Sequence, residues 1–109
     1  MDIYNELQYK QKMLDTSLKS LRINGIELAK AEQEYKIALC KKALELRNTD
    51  MPVTLIQLTI YGYPEIATLR FKRDSAEAIY YANKEAINGI KLEIKILQEQ
   101  INKEYSNEQ

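Results

Sequence analysis

Seven basic side chains lie near the middle of this 109-residue sequence, on both sides of a short stretch bounded by Pro52 and Pro64. Two tyrosines lie inside or beside that stretch. Cations bind phosphate groups and aromatic faces stack on nucleobases, so this combination indicates a site for a nucleotide or a nucleic acid. We predict that the site is formed by Lys42, Arg47, Tyr61, Tyr63, Arg70, Lys72 and Arg73, with Lys36 and Lys41 as the remaining cations.

Two other interpretations of this region stay open. Runs of charge on helices are usually solvated, and the cations would then only flank a seam between two helices. Alternatively, residues 53–74 have the outline of a DNA-reading helix-turn-helix, with a turn at Gly62 and a second helix that begins at Pro64. Leu69 and Phe71 occupy positions that a recognition helix would fill with polar residues, which weakens this outline.

Composition excludes several classes of function. Sixteen basic and sixteen acidic residues give a net charge of zero, which argues against a polyanion binder that depends on bulk charge. The sequence has no His and one Cys, so neither a zinc site nor an internal disulfide is expected. No nucleophile stands beside a base, and there is no glycine-rich phosphate loop. We therefore predict a protein that is not an enzyme and uses no cofactor and no metal.

The N-terminal segment contains no apolar run of the kind found in signal peptides or membrane spans. Asp2 and Glu6 place charge at its start. The sequence predicts a cytoplasmic protein without a membrane segment.

Two long amphipathic helices are predicted to position the basic residues. Leu7, Leu14, Leu21, Leu28 and Tyr35 recur every seven residues, and Leu18, Leu39 and Leu46 occupy the alternating seam position. This heptad pattern predicts a helix over residues 2–47. A second pattern with steps of three and four predicts a helix over residues 64–104, with these seam positions: Ile66, Leu69, Arg73, Ala76, Tyr80, Asn83, Ile87, Ile90, Ile94, Leu97 and Ile101. Between them, a short helix is expected over residues 52–61, with Pro52 in its first turn and Thr49 or Asp50 as its cap.

These elements predict an all-α fold with a single domain over residues 1–109, in which the two long helices form an antiparallel, coiled-coil-like hairpin with the short helix at its tip. If the chain folds back about residue 56, residue numbers that sum to about 112 lie side by side. That register brings Gly25 level with Gly89, which suggests a close approach of the two backbones. The other interpretation is that Gly25 breaks the first helix.

Both long helices carry a second apolar face that one hairpin cannot cover. The residues that we assign to this face are Phe71, Ala78, Ala82 and Ile96 on the last helix and Ile37 and Leu44 on the first. An exposed apolar face of this kind marks an interface. We therefore expect a homo-oligomer, most simply a dimer that forms a four-helix bundle, or a larger bundle.

Three segments carry a resemblance to a known group of proteins: Met51 to Ile56, Phe71 to Asp74 and Glu85 to Asn88. With the opening Tyr4 to Leu7 and the seam from Ile94 to Ile101, the chain resembles small uncharacterised helical proteins encoded in phages and prophages of Gram-positive bacteria. The resemblance implies an early phage gene that acts in the host cell cytoplasm, and it brings no known activity.

The sequence thus favours a non-enzymatic interaction protein, in which an oligomeric bundle binds a host or phage protein, for anti-defence or as an accessory to replication and recombination. A different class of function is an oligomeric protein that sequesters a nucleotide immune signal through the basic tip. DNA binding through the helix-turn-helix-like tip is the third.

Overall fold

The structure is a computed structural model that describes residues 2–108 of the chain, and the side chains of residues 2–107. Met1 and Gln109, which fall inside the predicted domain, lie outside the described residues. The elements are helix α1, Ile3–Asn48, a short helix α2, Val53–Thr59, a 3₁₀ turn, Ile60–Gly62, and helix α3, Pro64–Glu108. The described chain is therefore an all-α helical hairpin as the sequence predicts, and α3 extends four residues past its predicted end.

The chain divides into two compact units, each with a segment of α1 and a segment of α3. The tip unit comprises residues 24–79, and the terminal unit comprises residues 2–23 and 80–108 of the described chain. Whether the hairpin is one folding domain stays a prediction, as does its assembly into a larger bundle.

In the terminal unit the two segments are antiparallel. Lys10 forms an ion pair with Glu93, and further along α1 the backbone carbonyl of Ser17 accepts a 3.2 Å hydrogen bond from the side-chain amide of Asn83. At the start of α1 the Asp2 carboxylate accepts a 2.9 Å hydrogen bond from the backbone N–H of Tyr4, which caps a free donor of the first turn. The core of this unit is formed by Ile87, Ile90, Ile94 and Leu97 of α3.

The heptad seams are confirmed by the burial of their members. All eleven predicted seam positions on α3 are buried or half-buried, including the two polar ones, Arg73 and Asn83. On α1 the predicted seam leucines are half-buried or buried except Leu18, which is exposed. Hydrophobic periodicity thus identified the faces that the helices bury.

Helix α1 ends in a Schellman motif, in which the chain turns through a residue with positive φ. The N–H of Met51 bonds to the carbonyl of Leu46, and the N–H of Asp50 bonds to the carbonyl of Arg47. Asp50 adopts a φ of 63°, the left-handed region that an L-residue rarely occupies. The predicted capping of α2 by Thr49 or Asp50 is wrong, because the Thr49 hydroxyl donates to the Leu46 carbonyl and α2 has no side-chain cap.

Because the chain reverses at this turn, before residue 56, the predicted register of α1 against α3 is wrong. In the tip unit Glu34 contacts Lys72, whereas folding back about residue 56 would have placed Glu34 beside residue 78. The chain reverses at residues 49–52, and Ile56 of α2 and Ile60 of the 3₁₀ turn pack back onto the end of α1. The resulting cluster is formed by Leu46, Ile56 and Ile60, with Leu39, Ala43, Met51 and Tyr63 packed against it.

The two mid-helix glycines do not have the roles that the predicted register implied. Helix α1 continues through Gly25 without a break. A Cβ built on Gly89 would have no neighbouring atom within 4 Å, so no backbone approaches this residue. Gly89 is an exposed interior position of α3 where glycine only lowers helix stability.

Candidate functional site

Lys42 is held closely by its neighbours in the tip unit. Its side chain projects from α1 beside the start of α3, retains 18% of its exposure, and places Nζ 2.8 Å from Oε1 of Glu65. The same Nζ lies 3.7 Å from Glu45 and 4.2 Å from the centre of the Tyr63 ring. The hydrogen bond from Lys42, with one from the backbone of Glu65 itself, lowers the pKa of Glu65, and the bond to Glu65 raises the pKa of Lys42. Lys42 is thus charged and already neutralised by a partner.

Arg73 occupies a seam position and satisfies its charge with two carboxylates. Its Nη1 lies 2.9 Å from Glu32 of α1, and its Nε lies 2.7 Å from Asp74. The guanidinium also stacks over the buried ring of Tyr35, 4.9 Å from the ring centre. Hydrogen bonds to Glu32 and Asp74 raise the pKa of Arg73 above its usual value. A polar residue in this seam is therefore held by a cross-helix ion pair, a device that fixes register.

Lys72 is paired as well, but loosely. Its Nζ lies 3.0 Å from Oε2 of Glu34 across the hairpin, and both side chains are about half exposed. Solvent-exposed pairs of this kind contribute about 0–1 kcal/mol to stability, so Lys72 can leave Glu34 at little cost.

Arg70 and Arg47 have no carboxylate partner among the described residues. The Arg70 guanidinium lies over the exposed ring of Tyr61, 4.8 Å from its centre. Arg47 donates a 3.0 Å hydrogen bond from Nη1 to the carbonyl of Met51, which it reaches across the turn at the end of α1. Of the residues predicted from sequence, the structure brings Tyr61 to Arg70 and Tyr63 to Lys42.

The acidic partners were missed at the sequence level, because they depend on the register. Glu32, Glu34 and Glu65 come level with the cations only when the chain reverses at residues 49–52. The pairing of Arg73 with Asp74 does not depend on the register, because the two residues are adjacent in the chain.

The six residues assigned to the second apolar face are all exposed. In the tip unit these are Ile37 and Leu44 on α1 and Phe71, which retains 75% of its exposure, and Ala78 on α3. Ala82 and Ile96 are exposed in the terminal unit. That a second copy of the chain covers these six residues stays a prediction.

Further apolar side chains are exposed that the sequence analysis did not assign to an interface. Leu58 of α2 retains 80% of its exposure, because that short helix buries only Ile56, and its neighbours Val53 and Leu55 are exposed too. Ile79 of α3 is also exposed, and its spacing of eight residues from Phe71 could have identified it as part of the same helix face.

A lateral groove of about 470 Å³ runs beside Phe71 in the tip unit. Two α1 residues and six α3 residues line it: Asn24, Glu27, Thr68, Phe71, Lys72, Ser75, Ala76 and Ile79. Its surface is mainly apolar, with one acidic and one basic side chain at its rim.

Other kinds of site find little support in the described residues. No three His, Cys, Asp or Glu side chains among them are grouped so that they could hold a metal ion. Within residues 2–108 no helix combines the length and the apolar character needed to cross a membrane. Cys40 is an exposed free thiol.

The tip is therefore a set of locally paired charges beside a groove and several exposed apolar side chains. Comparison of the chain with protein-family models, with curated proteins and with solved structures found no match.

Proposed function

We propose that this chain is a non-enzymatic interaction protein, which self-associates into a helical bundle and binds a host or phage protein through exposed apolar surfaces. The observation that supports it is the balance of apolar side chains in the described residues. Seventeen large hydrophobic residues are exposed, whereas ten hydrophobic residues are buried. An exposed apolar surface of this extent is typical of a protein that works in contact with another protein.

Burial of these exposed side chains would favour association. Fully burying one large aliphatic or aromatic side chain contributes about 1.5–3 kcal/mol. Ile37, Leu44 and Phe71 are each more than half exposed, and a symmetric dimer would bury two copies of every residue at its interface. A micromolar dissociation constant requires about −8 kcal/mol after ordering costs are included, so the interface must bury further exposed apolar side chains beside these three.

Self-association is tested by sedimentation equilibrium of the purified chain over a range of micromolar concentrations. We expect a mass of at least two chains that falls towards one chain on dilution. The variant Phe71→Glu should shift the equilibrium towards the monomer, and Lys41→Glu, a charge change on the exposed surface of α1, should not. A monomer mass at every concentration would contradict the proposal.

Binding of a second protein is tested by capture from a lysate of a Gram-positive host, because the resemblance to phage-encoded proteins is what points to a host or phage partner. The immobilised chain should retain a defined protein, and Leu58→Glu or Phe71→Glu should lose it. Recovery of the same proteins on the chain and on both variants would mean that the apolar surfaces at Leu58 and Phe71 bind no specific partner.

A second candidate, sequestration of a nucleotide signal, is supported by one contact. Arg70 has no carboxylate partner in the described chain and lies over the exposed ring of Tyr61, so a cation and an aromatic face are available together. Cyclic nucleotides should then raise the melting temperature of the chain, and Arg70→Gln should abolish the shift. No shift at a hundredfold excess over a micromolar affinity would rule this candidate out.

A further inference from the structure

The lateral groove of the tip unit has an internal symmetry along α3. Phe71 lies four residues before Ser75 and Ile79 lies four residues after it, so one large exposed apolar side chain stands about 6 Å to either side of a small residue. All three residues line the groove. Two such grooves laid together in opposite directions would place Phe71 of each copy against Ile79 of the other.

Two charged residues line the groove, and they lie at its opposite ends. Lys72 lies at the Phe71 end, where it meets Glu34 of α1. Glu27 lies seven residues before Glu34, and because α1 and α3 are antiparallel in this unit, it stands about two helical turns further along α3, near Ile79. Of the residues that line the groove, the base therefore lies at one end and the acid at the other.

We infer that the lateral groove is the interface between two copies of this chain, related by a two-fold axis at the level of Ser75. In this arrangement Phe71 packs on Ile79 of the second copy, and Lys72 pairs with Glu27 of the second copy. Each contact occurs twice, as an isologous interface requires. The small Ser75 side chain lies at the axis, between the two aromatic rings.

Charge complementarity is the reason for choosing a second copy as the occupant. A groove with one acid and one base at opposite ends matches its own inverted image, and an unrelated apolar helix would have to supply the same two charges by coincidence. The pairing of Lys72 with Glu34 does not oppose this, because that contact is largely exposed and is exchanged at little cost.

This inference rests on the proposed self-association and is tested by exchanging the two charges. Sedimentation equilibrium compares the chain with Lys72→Glu, with Glu27→Lys and with the double variant. Each single change places two like-charged contacts in the dimer and should weaken it by about tenfold or more. The double change restores both pairs between copies and should return the dissociation constant to within about threefold of its original value.

The restoration distinguishes contacts between copies from contacts within one chain. Glu27 also lies near Lys30, and Lys72 bonds to Glu34, and the double variant repairs neither of these. Lys41→Glu serves as the matched control, since Lys41 lies outside the groove, and circular dichroism confirms that every variant is helical.

Each outcome is decisive. Loss of dimer in both single variants and recovery in the double variant supports the inference. An oligomer that neither single change weakens, or that the double change does not restore, overturns the inference and leaves self-association standing through another surface. A monomeric parent chain overturns both.

Discussion

Ile66 and Leu58 provide a direct test of which apolar residues form the folding core. Ile66 of α3 is fully buried, with 0% exposure, whereas Leu58 of α2 retains 80%. Changing Ile66 to Ala removes three carbon atoms, which at about 0.8 kcal/mol each amounts to about 2.4 kcal/mol of lost transfer free energy. The cavity that remains adds to this, so we expect a total cost of about 3–4 kcal/mol.

That cost is large beside the free energy of unfolding of a chain of this size, which is about 5–15 kcal/mol. Urea unfolding followed by circular dichroism should show a lower midpoint for Ile66→Ala with an unchanged slope. Ile66→Val should cost about 0.5–1.5 kcal/mol, and Leu58→Ala should stay within about 0.5 kcal/mol of the parent chain.

Two results would refute this reasoning. A cost below about 1 kcal/mol for Ile66→Ala would mean that the site collapses freely or that the seam is not the core. An equal cost for Leu58→Ala would mean that Leu58 is covered, and repeating the measurement at several protein concentrations would show whether a second chain covers it.

Three further variants or conditions test local features of the hairpin. Gly89→Ala should stabilise the chain by about 1 kcal/mol in urea, since the added methyl group meets no atom and Ala favours the helix; a loss of stability would mean that this position is in contact with something. Asp50→Val should cost about 1–2 kcal/mol, because a β-branched residue is strained at a φ of 63°, whereas Asp50→Gly should melt no lower than the parent chain. The pKa of Glu65 is lowered by Lys42, so the stability that this ion pair contributes should be lost as pH falls below 4.5. The pKa of Lys42 is raised, so the same contribution should also be lost as pH rises above 10.5. Lys42→Met should therefore flatten both the acidic and the basic limb of a plot of urea midpoint against pH.

The sequence was informative about the helices and their seams because periodicity records burial directly. Heptad leucines on α1 and the three-and-four pattern on α3 identified the buried faces, even at Arg73 and Asn83, where the residues are polar. Pro64 marked the start of α3 because proline is favoured in the first turn of a helix.

The register could not be predicted in the same way, because it depends on a turn whose residues are atypical. A Schellman motif usually has glycine at the position that Asp50 occupies in this chain, so the sequence offered no signal for a reversal at that residue. An error of a few residues in the turn changes every cross-helix neighbour. For that reason the ion pairs that Lys42, Lys72 and Arg73 form between the two long helices emerged only from the structure.

These ion pairs also change what is expected of nucleic-acid binding at the tip. Of the seven cations near the tip, four pair with carboxylates, and among the described residues Lys41, Arg47 and Arg70 do not. Each phosphate contact contributes about −0.9 to the slope of log affinity against log salt, so seven free cations predict a slope of about −6 and three predict about −3.

A duplex or a single strand that binds the tip should therefore show a slope no steeper than about −3, and Arg70→Gln should make it shallower by about 1. Filter binding at several salt concentrations measures both. A slope near −6 would mean that all four paired cations, Lys36, Lys42, Lys72 and Arg73, abandon their carboxylates for phosphate. A nucleic acid would then be favoured over a protein as the partner of the tip. If the chain has no measurable affinity for nucleic acid at low salt, the tip does not bind nucleic acid. Its exposed apolar surfaces then favour a protein as the partner.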